Sequence, residues 1–465
     1  MASLSPRCGR FSVAAWLRRW LACGAAVAWA LLPALTHASW LTVALPRVED
    51  GPGIRVGDHS RFHPGVAIGV GYDTNVFSSG RPLAVRGSPF VLPSVWLGIG
   101  NRRVRGGLLD SPVAATGRLV DYHVGLVGGY RVYLSRRDTV RGAGKPNIGG
   151  RLRLTVAPGR RFSLMLRADI DRLGEPRNFE AAREFNFNRI QTSAALDGVL
   201  RPGAGRLSLR AGYVNDSLYF LSELATADRF VHGFQHESKW RIRDRSAVVV
   251  RYRWQWTYYL CCAEAGSGRN EDSRAHRVWG GYVGQFGKRA ELEALAGYGL
   301  ARYPYDINGP NFSKVLGRLG FSYYPSPRTR LHVAGGQRFQ DALFGNYHTV
   351  VGGELFVSQQ FRWKMQAELG GGIYDRRTSG LPVPGRETDT VVRYDDETME
   401  KYQRRDMLYS TTFKLEQRLG KFLVLGLNYM LNVDDTAFVI YYENGFVAPG
   451  RFTRQQIMLI TAARL

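Results

Sequence analysis

Read two residues at a time, much of this chain divides into a greasy face and a polar one. In "VAIGVGYDTNVF", Val66, Ile68, Val70 and Tyr72 share one face, while Ala67, Gly69, Gly71, Asp73 and Asn75 share the other. That is the two-residue period of a β-strand. The parity returns in "RFSLMLRADID", where Phe162, Leu164, Leu166, Ala168 and Ile170 oppose Ser163, Arg167, Asp169 and Asp171. It returns again in "VVVRYRWQWTYY" (Val248 to Tyr258), in Val120 to Leu126, and in Leu423 to Leu431. After residue 60 there are no heptads, no sustained helical period and no low-complexity linker.

These segments come in pairs joined by very short links, at Pro158, Pro202, Arg243, Phe286, Pro325, Phe361 and Gly420. Between the pairs lie longer polar connections: Arg172 to Phe185, Tyr259 to Asp272, Tyr303 to Asn311, Asp375 to Tyr402 and Val433 to Gly450. Alternating short and long links are the rhythm of transmembrane β-barrels, with tight periplasmic turns and longer extracellular loops. The expected fold is all-β, a transmembrane antiparallel up-and-down β-barrel of about 18 strands, starting near Phe62 and ending at Leu465. Asn101 to Gly117 breaks the rhythm where a short turn belongs, so about 16 strands are also compatible.

A soluble β-sandwich or propeller also alternates. Three features favour the membrane. The strands are long enough for a tilted bilayer span, Tyr and Trp gather at strand ends as in "WTYY" and "FSYYP", and the pattern runs to the last residue. The last strand keeps Ile457, Leu459, Ala463 and Leu465 in phase, with Leu465 where a barrel usually ends on an aromatic residue. On this reading Val66, Ile68, Val70 and Tyr72 face lipid and their small neighbours face a lumen.

Composition changes the picture at the start of the chain. Mean hydropathy is −0.22, too polar for a helical membrane protein, and only one stretch could span as a helix. Arg7, Arg10, Arg18 and Arg19 precede an apolar run from Trp20 to Leu35 and a small-residue site at Thr36-His37-Ala38. This reads as a signal peptide over residues 1–38, cleaved after Ala38; an uncleaved anchor or a lipoprotein signal at Cys23 are the alternatives. Residues 39–61 form a periplasmic lead segment and 62–465 the barrel. Cleavage removes four arginines and lowers the formal charge from +24 to +20. It leaves Cys261 and Cys262, adjacent and without zinc-type spacing, with no assigned chemistry.

With parity fixed, the lumen face carries Arg131, Arg153, Arg167, Arg189, Arg210, Arg241, Arg251, Arg253, Arg277, Arg318 and Lys414. Acidic residues on that face are fewer and include Asp121, Asp169, Asp197, Glu354, Glu368 and Glu416. Such a wall concentrates anions and offers weak, exchangeable contacts. The alternative is that the basic excess pairs with those acids or meets lipid head groups at the rim. No nucleic-acid motif accompanies the charge. No catalytic constellation, cofactor motif or metal spacing stands out; His232 and His236 share a face but lie about 13 Å apart along a strand. The acidic stretch Glu387 to Glu400 reads as a solvated loop.

"GVAIGVGYDTNVF", Gly65 to Phe77, resembles the first strand of outer-membrane β-barrel proteins of myxobacteria and related deltaproteobacteria, matching at Gly71, Tyr72, Asp73, Asn75 and Phe77. A turn or bulge where the strand leaves the membrane accounts for Asp73 and Asn75. The resemblance implies a Gram-negative outer-membrane location, lipid and lipopolysaccharide around the barrel, and insertion by the barrel-assembly machinery. Some members of that group, eighteen-stranded, accompany exopolysaccharide export, and the basic lumen also looks like that of alginate-type exporters. The resulting expectation is an export conduit for an anionic polysaccharide working with a periplasmic export protein, with Asp375 to Tyr402 as its gating loop. A general anion or nutrient porin and a structural or adhesion barrel with a plugged lumen are the alternatives.

Overall fold

The structure, a computed structural model, describes residues 52–80, 85–101, 119–174, 188–203, 205–221, 227–260, 272–304, 311–342, 346–379, 390–393, 403–437, 439–442 and 447–465. The expected signal peptide, most of the expected lead segment, Cys261, Cys262 and nearly all of residues 380–402 lie outside those residues.

Eighteen long strands follow one another: β1 (Ser60–Asp73), β2 (Ser88–Gly100), β3 (Val120–Tyr130), β4 (Pro146–Val156), β5 (Phe162–Leu173), β6 (Arg189–Leu200), β7 (Leu207–Phe220), β8 (Arg229–Arg243), β9 (Ser246–Tyr259), β10 (Ser273–Phe286), β11 (Ala290–Arg302), β12 (Phe312–Ser326), β13 (Thr329–Asp341), β14 (Tyr347–Gln360), β15 (Met365–Ser379), β16 (Gln403–Leu419), β17 (Leu423–Thr436) and β18 (Phe452–Arg464). Each pairs antiparallel with the next, and β18 closes on β1 through pairs such as Val66 with Ala463 and Tyr72 with Ile457. Closure leaves no long edge, the condition for strands in hydrocarbon. Two short pieces extend the sheet: Ile54–Val56 folds back on the start of β1, and Val132–Tyr133 continues β3 against β2.

Eighteen strands, not sixteen, are present because β2 and β3 pair directly, Gly100 opposite His123, despite the long segment between them. Followed once round the barrel, the register returns to β1 displaced by about 22 residues, and eighteen strands with that stagger tilt by roughly 40° from the axis. The tilt explains strand lengths of 11 to 17 residues.

Burial confirms the parity. Val66, Ile68 and Val70 are about half exposed on the outer surface, whereas Asp73 opposite them is fully buried. Large apolar residues repeat this arrangement around the barrel, among them Leu126, Ile170, Val250, Leu319, Leu355 and Leu425. Aromatic residues mark both margins of that band. Tyr72, Tyr130 and Tyr298 stand at the long-loop end, and Trp240, Phe286, Tyr323 and Trp363 at the short-turn end. Short turns are supported by glycines in the left-handed region, such as Gly159, Gly287 and Gly420.

The inner wall is not uniform. From β17 through β2 its middle is apolar, with Trp96 buried beside Val424 and Ala462 and against Ala67, Val127 and Ile460, while Asp73, Arg454, Gln456 and Asp434 sit toward the long-loop end of the same strands. Gly65 makes this possible: a Cβ there would lie 2.0 Å from the Trp96 ring. From β4 to β16 the inner wall is charged.

Candidate functional site: the charged lumen and its two inward folds

Alternation along β4 to β16 sends guanidiniums and carboxylates inward from neighbouring strands, close enough to meet. On β4 and β5, Arg153 Nη2 donates to both Asp169 oxygens at 2.8 Å, and Arg151 lies 3.9 Å from the same carboxylate. On β5 to β8, Asp197 accepts from Arg167 at 2.9 Å, Arg210 at 2.8 Å and Gln235 at 2.7 Å. Arg253 donates to Asp216 at 3.2 Å. Arg251 spans Glu237 at 2.7 Å and Glu293 at 3.0 Å, and Arg318 holds the other oxygen of Glu293 at 3.0 Å. Farther round, Tyr374 donates to Glu354 and Lys414 pairs with Glu416 at 2.8 Å.

Two features of this belt bear on transport. Asp169, Asp197 and Glu293 each serve two guanidiniums and Arg251 serves two carboxylates, so seven arginines meet five acids and these pairs retain a positive excess. Part of it is also open to the lumen: the Arg153 and Arg318 side chains keep 27% and 26% of their surface accessible, whereas Arg167, Arg253 and Asp197 are buried.

All eleven basic residues expected on the lumen face occupy inward positions, but they are not one bare cationic wall. Six of them, Arg153, Arg167, Arg210, Arg251, Arg253 and Arg318, are in the ion pairs above, and Lys414 is in its own. Arg277 lies over the Phe339 ring at 4.1 Å and donates to Gln255. Arg131 lies over Phe90 at 4.7 Å. Arg189 is buried, and Arg241 sits near the short-turn end. The partners that the sequence reading missed are Asp216, Glu237 and Glu293. All three stand at inward parity; Glu237 lies directly opposite Arg251 and Arg210, whereas Asp216 and Glu293 reach their arginines diagonally, so inward parity was the signal that could have found them.

Two segments fold into the barrel at the long-loop end. The first is the hairpin of β13 and β14. β13 pairs with β12 only as far as Gln337, after which it leaves the wall. Beyond that point residues on both faces are buried, including Phe339, Ala342 and Asn346 through Val350, whereas a wall strand buries one face. Phe339 stacks on Phe312 of β12 with centroids 4.0 Å apart, and Tyr347 stacks on Tyr303 at 5.9 Å. At the tip, Asp341 accepts from Thr257 of β9 at 3.2 Å, and the Ala342 carbonyl accepts from Arg229 of β8 at 3.3 Å. The hairpin therefore lies as a second layer against the inner wall, reaching from β14 back to β8.

The second inward fold follows β1 on the far side of the barrel. Val76 is fully buried with Phe90, Leu92, Tyr133, Val140 of the one-turn helix Asp138–Arg141, and Met458, with Phe77 packed beside them. Asp73 and Asn75 hold this fold. Asp73 accepts from Arg454 at 2.6 Å, Gln456 at 2.6 Å, Tyr133 at 3.3 Å and the Asn75 backbone N–H at 3.1 Å. Asn75 donates to the Ser79 and Thr453 carbonyls and accepts from the Ser79 N–H. Gly71 gives the close approach that this packing needs, since a Cβ there would meet the Ile457 carbonyl at 2.3 Å. Tyr72 points the other way, into the outer aromatic margin. The Asp73 carboxylate also closes an Asx turn, but its main partners lie on the last strand.

A third buried cluster continues the rim. Arg376 and Arg404 share Asp406, at 2.8 and 2.7 Å from their Nε atoms, and Arg376 also reaches Asp434 at 3.3 Å. The loop expected to gate the channel begins later than the sequence implied, because Asp375 through Ser379 belong to β15. Of its remainder, only Thr390–Arg393 is described, as a strand paired with Val439–Tyr442.

A closed antiparallel barrel with an apolar outer band, two aromatic margins and a charged interior is an outer-membrane β-barrel. This chain is a Gram-negative outer-membrane protein. No protein-family model and no curated protein matches it. Among solved structures it is similar to OpdK of Pseudomonas aeruginosa with vanillate, at 12% identity and a TM-score of 0.43, covering 87% of this chain and 98% of that one. It is similar to OccK2 (OpdF) of the same organism in complex with glucuronate, at 10% identity and a TM-score of 0.43, with the same coverage. The siderophore receptor PirA, also from P. aeruginosa, aligns at 9% identity and a TM-score of 0.39 over 88% of this chain and 81% of that one.

Proposed function

We propose that this barrel is a passive outer-membrane channel for anionic solutes, and that its cargo is an acidic polysaccharide leaving the cell. The carrying observation is the shared carboxylates: seven arginines meet five acids, so these pairs stay net positive even where every member is paired, and Arg153 and Arg318 are open to the lumen. Local pairing also suits passage over capture. A polyanion sliding along the belt exchanges one partly satisfied guanidinium for the next rather than settling on a single unpaired one. A periplasmic export protein would deliver the chain, and neighbouring glycosyltransferase genes would mark such a system.

The test is conductance of the mature barrel in planar bilayers under a KCl gradient. The expected reversal potential has the sign of anion selectivity, and added polyuronate blocks the current. Arg153→Gln with Arg318→Gln is the informative variant, because Asp169 and Glu293 each retain a second guanidinium and are not orphaned. Its anion-to-cation permeability ratio should fall about two- to threefold. Cation selectivity in the parent protein would overturn the reading. Anion selectivity indifferent to polyuronate would favour a general anion porin.

The two inward folds favour a second reading, a barrel closed at the long-loop end whose exterior loops bind partners. It requires that the parent protein insert without conducting and that removal of the β13–β14 fold open it.

A further inference from the structure

On the outer surface of the barrel, Arg274 of β10 and Arg302 of β11 stand directly opposite each other in register, and both are exposed. Like charges facing across a strand pair destabilise the sheet, and neither guanidinium has an ion pair or a hydrogen bond among the described residues. The same rim offers an internal comparison. Arg377 and Arg405 also face each other on the outer surface, on β15 and β16, but there Asp375 lies between them and pairs with both, at 3.1 and 3.0 Å. At Arg274 and Arg302 no carboxylate among the described residues takes that place.

Height supplies the second constraint. Arg274 lies over the Trp256 ring at 4.7 Å, within the aromatic margin at the long-loop end. Below the pair along the same strands the surface turns to exposed Leu300 and Val278, which face hydrocarbon. The position therefore accepts an anion at head-group level whose apolar remainder continues down the barrel wall. From this geometry we infer that Arg274 and Arg302 form a docking site for a phosphate of the outer-leaflet glycolipid, with Trp256 holding the Arg274 guanidinium in place. Phosphate supplies what Asp375 supplies at the other pair: two or more oxygens that accept from two guanidinium forks at once. The inference is independent of whether the barrel conducts, since it uses only the outer surface.

The experiment follows the unfolding midpoint of the full-length mature barrel, read by heat-dependent gel mobility in detergent, as bisphosphorylated lipid A is titrated in. The expected result is a rise of several degrees that dephosphorylated lipid A and inorganic phosphate at the same concentration do not reproduce. In Arg274→Gln/Arg302→Gln the rise should be lost, and in Arg377→Gln/Arg405→Gln it should persist. Equal rises with phosphorylated and dephosphorylated lipid A in the parent protein would overturn the site without reference to any variant. So would a rise with inorganic phosphate alone, which would mark a free-anion site, or an undiminished rise in Arg274→Gln/Arg302→Gln.

Discussion

Excising Gln340 through His348 and closing β13 onto β14 with an Asn-Gly turn should raise single-channel conductance at least about twofold. The magnitude follows from geometry. A second sheet layer lies about 10 Å inside the first, a large part of the free radius of an eighteen-stranded barrel. What holds the hairpin inside is aromatic packing onto the wall: Phe339 on Phe312, Tyr347 on Tyr303, and Arg277 over Phe339. Those contacts use the face of β13 and β14 that would otherwise look into lipid, so the excised barrel loses its inner layer without exposing new core at the outer surface. Phe339→Ser is a gentler version; it should leave the mean conductance closer to the parent value and add flicker as the hairpin lifts. Bilayer recordings of the excised variant decide the matter. Unchanged conductance would mean that the narrowest section lies elsewhere, and conductance appearing only after excision would favour the closed-barrel reading over the channel.

The strands were readable because lipid on one side and water on the other impose a single rule on every wall residue. On their outer faces Val66 to Tyr72 and Val248 to Tyr258 obey it throughout, and the fold class and strand order follow from such segments. The rule stops where a segment leaves the wall. In "RFQDALFGNYHTVV", Arg338 to Val351, lipid-facing parity falls on Phe339, Asp341, Tyr347 and Thr349, a set ill suited to hydrocarbon. That lapse was the visible sign of an inward fold, but alternation alone cannot say where the segment goes, because its partners Phe312, Thr257 and Arg229 are distant in sequence. The charged belt was half legible for a similar reason. Parity placed the arginines, but the pairing that neutralises most of them depends on register between strands. Glu237 meets Arg251 only because β8 and β9 align those two residues directly.

The seam is where that register matters most, and removing Asp73 should cost about 3–5 kcal/mol of barrel stability, the penalty for stranding a buried charge. Asp73 and Arg454 are 0% and 1% exposed and lie on the first and last strands, which must find each other for the barrel to close. In Asp73→Ala the Arg454 guanidinium stays buried without its carboxylate, and Gln456, Tyr133 and the Asn75 N–H lose their shared acceptor together. Val76 and its apolar neighbours are tethered through the same carboxylate, so the inward fold after β1 should loosen as well. The check is guanidinium-induced unfolding in lipid vesicles. Asp73→Ala should unfold at much lower denaturant, and the loss should be insensitive to salt because the pair is shielded from solvent. The double variant Asp73→Leu/Arg454→Met removes both charges and fills the space, so it should recover part of the loss. A midpoint for Asp73→Ala equal to that of the parent protein would show that backbone pairing of β1 with β18 closes the barrel unaided. A double variant no better than the single one would mean that Asp73 acts mainly through Gln456, Tyr133 and the turn at Asn75, with Arg454 the lesser partner.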